Sequence, residues 1–199
     1  MQPKRKYPVT IDPTVIVSGG IAETETQFGG LQRKVAPMSV AGGPNNGATF
    51  ANDASVGTQD WLTPGNAQTS DDVPTSFQAT SVTSKYLKAT NFSFSIPSNA
   101  VIRGIVMEYE RSQNSLASTV FTNSIKLVKA GSITDSEATG CSAEWESTDT
   151  YATCGSSVDL WGTTWIESDI ENSGFGTVIS ATGTVDANEG NIDHIRITV

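Results

Sequence analysis

The residues Asp159-Leu160-Trp161-Gly162-Thr163-Thr164-Trp165, continued by Asp169-Ile170-Glu171-Asn172-Ser173-Gly174-Phe175-Gly176, set two tryptophans and a phenylalanine within 15 residues. Small and turn-forming residues separate the rings. The pattern predicts a strand, then one helical turn over Ile170. Asn172-Ser173-Gly174 would then turn the chain into a strand from Phe175. Ser168 and Glu171 have capping-box spacing, in which a hydroxyl and a carboxylate each satisfy a free backbone donor at a helix start. Rings this close to forced turns fit a core plug better than a ligand shelf, because each buries a large apolar area. Trp161, Trp165 and Phe175 are therefore the expected core motif.

Outward from this motif the chain reads as short alternating segments. Phe92, Phe94 and Ile96 share one face, with Ser93 and Ser95 on the other. Pro97-Ser98-Asn99-Ala100 turns the chain into a strand over residues 101–111, in which Ile105, Met107 and Tyr109 oppose Glu108 and Glu110. Ile125 and Leu127 flank Lys126, and further strands are expected at Tyr151 and over residues 178–181. The last places Ile195, Ile197 and Val199 inward, with His194, Arg196 and Thr198 outward. Alternation with period two marks half-buried strands, and strands this short, spaced by turn signals, predict an all-β antiparallel sandwich or jelly roll.

The chain has 199 residues, of which 17% are charged, and no run of 18 apolar residues to span a membrane. Lys4-Arg5-Lys6 precedes Val15-Ile16-Val17, yet Pro8, Asp12 and Pro13 interrupt the apolar region, so a cleaved signal is not expected. Residues 1–48 carry five of the prolines and three Gly-Gly pairs, and read as an extended N-terminal arm on a 49–199 body. Within that arm, Lys4, Arg5, Lys6, Val15, Ile16 and Val17 are the expected assembly residues, the apolar trio suited to adding a strand to another sheet. Met38-Ser39-Val40 is a second such segment. Residues 1–40 hold five bases against three acids, +2, while the remaining seven bases and eighteen acids give −11. Nucleic acid is not an expected partner, since phosphate binding rests on Lys and Arg.

The residues that carry chemistry elsewhere have bland readings here. His194 is the single histidine, so no His-pair metal site exists, and Asp193 beside it should point to the opposite strand face. Glu108 and Glu110 share a face as glycosidase carboxylates do, but on one strand and without groove aromatics, so a solvated face is expected. Asn52, Asp53, Asp60, Asp71 and Asp72 form an oxygen-rich loop region suited to calcium, although not with EF-hand spacing. An exposed Trp61, Trp145, Trp161 or Trp165 would serve sugar binding; buried, none would. No cofactor motif is present. Cys141 and Cys154 are the only cysteines, and both a disulfide and two buried thiols fit their spacing.

Several segments together resemble a module of tailed-phage virion proteins. They are Asn52-Asp53 with Trp61, Thr63-Pro64-Gly65-Asn66, Tyr86-Leu87-Lys88-Ala89-Thr90-Asn91-Phe92, Ser95-Ile96-Pro97-Ser98, Ile102-Arg103-Gly104-Ile105, Ile125-Lys126-Leu127-Val128-Lys129, the Asp159–Gly176 stretch and the ending Asp193–Val199. The resemblance covers about residues 50–199 and leaves the arm outside it. It implies a non-enzymatic virion structural protein, assembled in the host cytoplasm with major capsid or tail proteins and forming a homo-oligomer. Capsid decoration (cement) is the first placement; a tail, neck or fibre component that binds a carbohydrate or receptor is the second. No catalytic residues carry over, and the cysteine pair has no counterpart in the module.

Overall fold

The computed structural model describes residues 39–114, 119–138, 141, 144–184 and 189–199, with the backbone of 27–28 and 31–32. Lys4, Arg5, Lys6, Val15, Ile16 and Val17 lie outside the described residues. The chain divides into two compact units, Met1–Val40 and Ala41–Val199. In the first, β1 (Gln27–Phe28) pairs antiparallel with β2 (Leu31–Gln32), two short strands not anticipated from the sequence.

Among the described residues the second unit holds ten strands: β3 (Asn45–Asn46), β4 (Thr49–Asp53), β5 (Thr75–Gln78), β6 (Tyr86–Thr90), β7 (Ile105–Gln113), β8 (Val120–Lys129), β9 (Ser132–Glu137), β10 (Thr150–Ser156), β11 (Gly176–Gly183) and β12 (Glu189–Thr198). The first sheet runs β10-β7-β12-β3, with β5 also on β12; the second runs β4-β6-β11-β8-β9. From β5 to β12 the chain changes sheet at every connection except the β8–β9 hairpin. That path pairs β5 with β12, β6 with β11, β7 with β10 and β8 with β9, all antiparallel. It is the winding of a jelly roll, the double-sheet form of antiparallel sandwich. β3 and β4 extend the two sheets at one side. The body therefore begins at Ala41 and not at residue 49: Gly42 exchanges two backbone hydrogen bonds with Val199, and Asn45 and Asn46 pair with Ile197 and Arg196.

The core lies between the sheets. Ile105, Met107, Tyr109, Ile195 and Ile197 face Leu87, Ala89, Ile125, Leu127, Ile179 and Ala181, all buried, as period two requires. A smaller cluster of Tyr86, Val128 and Val178 sits apart from this core, with Val56 and Ile133 packed against it. β6 and β11 approach so closely that a Cβ at Gly176 would stand 1.9 Å from the Ala89 carbonyl oxygen. Gly176→Ala is expected to lower stability by about 1–3 kcal/mol, since backbone must move. Gly65→Ala, where nothing stands within 4 Å of an added Cβ, should be near neutral. Denaturant midpoints of the two variants test the difference, and equal midpoints would refute it.

Three local expectations are corrected. Residues 159–165 form turns instead of a strand, because Trp161 and Gly162 are both left-handed, at φ 54° and 66°. Residues 92–96 keep their alternation in burial without pairing as a strand, since Asn91 and Ser93 have φ of 62° and 53°. The helical turn over Ile170 is present as α1 (Glu167–Ile170), but the carboxylate that caps it is Asp169, which accepts the Ile166 N–H at 3.0 Å. Glu171 instead accepts the Ile96 N–H, and Glu167 accepts that of Asn99, locking two loops together at one end of the sandwich.

Candidate functional site

All four indoles are buried, with 6% exposure or less, and each ring N–H has an acceptor. Trp61 donates to Lys85 O, Trp145 to Thr122 Oγ1, Trp161 to Ile105 O and Trp165 to Leu160 O. Phe175 meets Phe92, Phe94 and Trp165 edge-on, with centroids 5.5–6.3 Å away. The motif is a plug between the sheets, and no indole offers a shelf for a sugar.

The oxygen-rich loop region is occupied by its own bonds. Asn52 accepts the Trp61 N–H and donates to the Trp61 carbonyl, standing in for a strand partner at the β4 edge. Asp53 accepts from Ser55 and pairs with Lys88, and Asp60 pairs with Lys85. Asp71 accepts from Thr69 and Val73. Among the described residues, no group of three or more His, Cys, Asp or Glu side chains is arranged to hold a metal ion.

Cys141 and Cys154 are joined by a disulfide. It fastens the connection that carries the chain from β9, on the edge of one sheet, to β10, on the edge of the other. Beside it lies a buried polar network. Thr122 Oγ1 accepts from Trp145 Nε1 and Arg111 Nη1 at 2.9 and 2.8 Å, which leaves its own hydrogen for Tyr109 Oη at 2.7 Å. Tyr109 also accepts from Arg111 and donates toward Cys141 O. Burial pushes the Tyr109 phenol up and the Arg111 guanidinium down from their ordinary ranges. The network joins the two sheets through polar atoms that burial would otherwise leave unsatisfied.

The remaining cluster of ionisable groups lies on the outer face of the first sheet. Register places Tyr151, Glu110 and His194 in one row across β10, β7 and β12, and Thr153, Glu108 and Arg196 in the next. Arg196 holds Glu108 through two hydrogen bonds, at 2.9 and 3.1 Å, and its guanidinium stands 4.3 Å from the Tyr151 ring centre. Tyr151 Oη lies 2.8 Å from His194 Nδ1. Asp193 occupies the residue at which the β12 register shifts, so strict alternation fails there. Its Oδ2 accepts the backbone N–H of Asp71 and of Asp72, at 3.0 and 3.1 Å, which draws the segment 68–73 to the sheet. Gln68 makes a backbone bridge to His194 in the same segment.

Two expectations change accordingly. His194, expected as a surface or internally satisfied histidine on the outward face, is covered: it is 6% exposed and Asp193 2%, with Nδ1 bonded to Tyr151. Glu108 and Glu110 are half-buried, and neither the glycosidase arrangement nor free solvation describes them. Glu110 Oε2, Asp193 Oδ1 and His194 Nε2 are buried without a hydrogen-bond partner among the described residues. Burial raises the Asp193 carboxyl, and Glu110 and Asp71 push the same way against the two N–H groups. Burial and then Arg196 lower the His194 imidazole. A general base must reach the proton it removes, and the ring nitrogen that Tyr151 leaves free is closed to solvent. The sequence signals for this cluster were Glu108 and Glu110 on one strand face and His194 and Arg196 on another; that Tyr151 and the 68–73 segment meet them gave none. Comparisons with protein-family models, with characterised proteins and with solved structures found no match.

Proposed function

We infer that this is a non-enzymatic structural protein of a tailed-phage virion, a capsid decoration (cement) protein whose N-terminal segment anchors a jelly-roll body. The observation that carries the reading is the division of the chain. Ala41–Val199 buries its own core, and Met1–Val40 is a separate, smaller unit with net positive charge on an otherwise acidic protein. The resemblance of residues 50–199 to phage virion modules supports it. So does the winding, since jelly rolls serve as viral capsid domains, among other uses that fold alone does not separate. The partners are the major capsid protein and further copies of this chain, gripped by strand addition from the arm. Val101, Val158 and Ile166, exposed on the two loops locked at one end of the body, add apolar surface for such a contact.

A tail, neck or fibre module that binds sugars needs an exposed aromatic shelf, and the buried indoles place that reading second. Removing residues 1–40 is expected to leave a soluble body with unchanged thermal unfolding that no longer sediments with particles. Incorporation at the level of the full chain would overturn the anchoring role.

A further inference from the structure

The outer-face cluster contains a device that does not depend on what the protein assembles with. Asp193 is almost wholly buried, holds two N–H groups of the 68–73 segment with one oxygen, and has no partner for the other among the described residues. The charged groups around it are unbalanced. Glu110 faces it from β7 and Asp71 from the segment itself, while Asp72 meets it through its backbone N–H. Arg196, the cation on its own strand, is already engaged by Glu108, also on β7, and Tyr151 on β10 is neutral. A buried carboxylate in that setting is costly, and losing its charge is the direct remedy.

We propose that Asp193 is a proton-operated clasp, which holds the 68–73 segment over the first sheet more tightly when protonated than when ionised. The segment is then closed in mild acid and loosens toward alkaline pH. The sign follows from linkage: a carboxyl raised by burial contributes stability that is fully present below its ordinary value and is lost as pH rises through the raised one. His194 works oppositely. Lowered by burial, its contribution is present above the ordinary imidazole value and is lost as pH falls through the lowered one. Any test must therefore hold His194 constant. Opening would release the backbone beside Leu62 and Val73, two side chains already more than half exposed.

The test is amide exchange of Asp71 and Asp72 in the full chain between about pH 4 and about pH 8, corrected for intrinsic rates and referenced to Ile179 in the second sheet. In the parent, protection of the two amides should fall several-fold as pH rises. Asp193→Asn keeps an acceptor for both N–H groups and cannot ionise, so it should keep high protection at the alkaline end and lose the excess slope. The Asp193 carboxylate favours the charged imidazole, so the same pair is also compared in a His194→Gln background, where the difference in slope must persist. An unchanged slope in Asp193→Asn, or no slope in the parent, would overturn the proposal. Should Asp193→Asn fail to fold, Glu110→Gln removes the repelling neighbour and brings the raised Asp193 carboxyl back toward its ordinary value, so the loss of protection should be smaller and complete at lower pH; a loss unchanged in size and position would equally defeat the idea.

Discussion

Trp145→Ala is expected to cost about 3–5 kcal/mol, the range for deleting a fully buried large aromatic side chain, and to lower the melting temperature by roughly 6–20 °C for a domain of this size. The residue is fully buried, and its segment is fastened to both sheets. Its N–H donates to Val120 O on β8, its carbonyl accepts from the Gln113 side chain on β7, and Glu146 O accepts the Gln113 N–H. Its ring stacks at 6.5 Å on Trp61, meets Tyr109 at 6.4 Å and lies under the Arg111 guanidinium at 5.6 Å. Alanine would leave a void against a buried cation as well as against apolar carbon. Trp145→Phe separates the two contributions. It loses the N–H to Thr122, whose oxygen still receives Arg111, and the part of the indole that a phenyl ring does not replace, so its cost should lie between about 1 kcal/mol and the alanine value. Denaturant unfolding of both variants gives the ordering. A Trp145→Ala cost below about 1 kcal/mol would mean the sheets are held at this side by something other than Trp145.

What could be read in the sequence was whatever depends on neighbours along the chain. Ile105, Met107 and Tyr109, and again Ile195 and Ile197, announce their buried face by period two, and the structure buries all five. The sandwich class followed from these runs. Which strand joins which sheet did not, because β5 meets β12 and β6 meets β11 across most of the body. Trp161 shows a different limit. A bulky residue in the left-handed region is uncommon, so the local pattern favoured a strand where the chain in fact turns. At Asp193 one extra residue shifts the phase of β12, and the alternation that served for Ile195 and Ile197 misplaced its side chain. The cover over His194 comes from residues 121 and 122 positions away from Asp193, beyond any window of local pattern. For the cysteines, spacing left thiols and a bond both open, and only three-dimensional proximity decides between them.

Reduction of the Cys141–Cys154 bond is expected to remove about 3 kcal/mol of stability, the chain-entropy value for a closed loop of this order, and to lower the melting temperature by roughly 6–12 °C, without dissolving the fold. The sulfurs are 13 residues apart in sequence, so the bond constrains one connection and not the whole chain. β10 remains registered on β7 through seven residue pairs from Thr150–Arg111 to Ser156–Ile105, and the Trp145 plug and the Thr122 network hold the same connection by other means. The body is therefore expected to reach its fold with both cysteines reduced. That matters if it is made in a reducing cytoplasm, where disulfides do not persist, and carried outside on a particle, where they do. The crosslink then adds stability after assembly instead of directing it. Thermal unfolding with and without a thiol reductant, with the bond followed by mass, measures the contribution. Cys141→Ala/Cys154→Ala should match the reduced protein to within the cost of two small voids. An unchanged melting temperature after complete reduction would show that the connection is already fixed by Trp145 and Thr122. Unfolding on reduction would show the opposite, that the plug and network cannot hold the sheets at this side unaided.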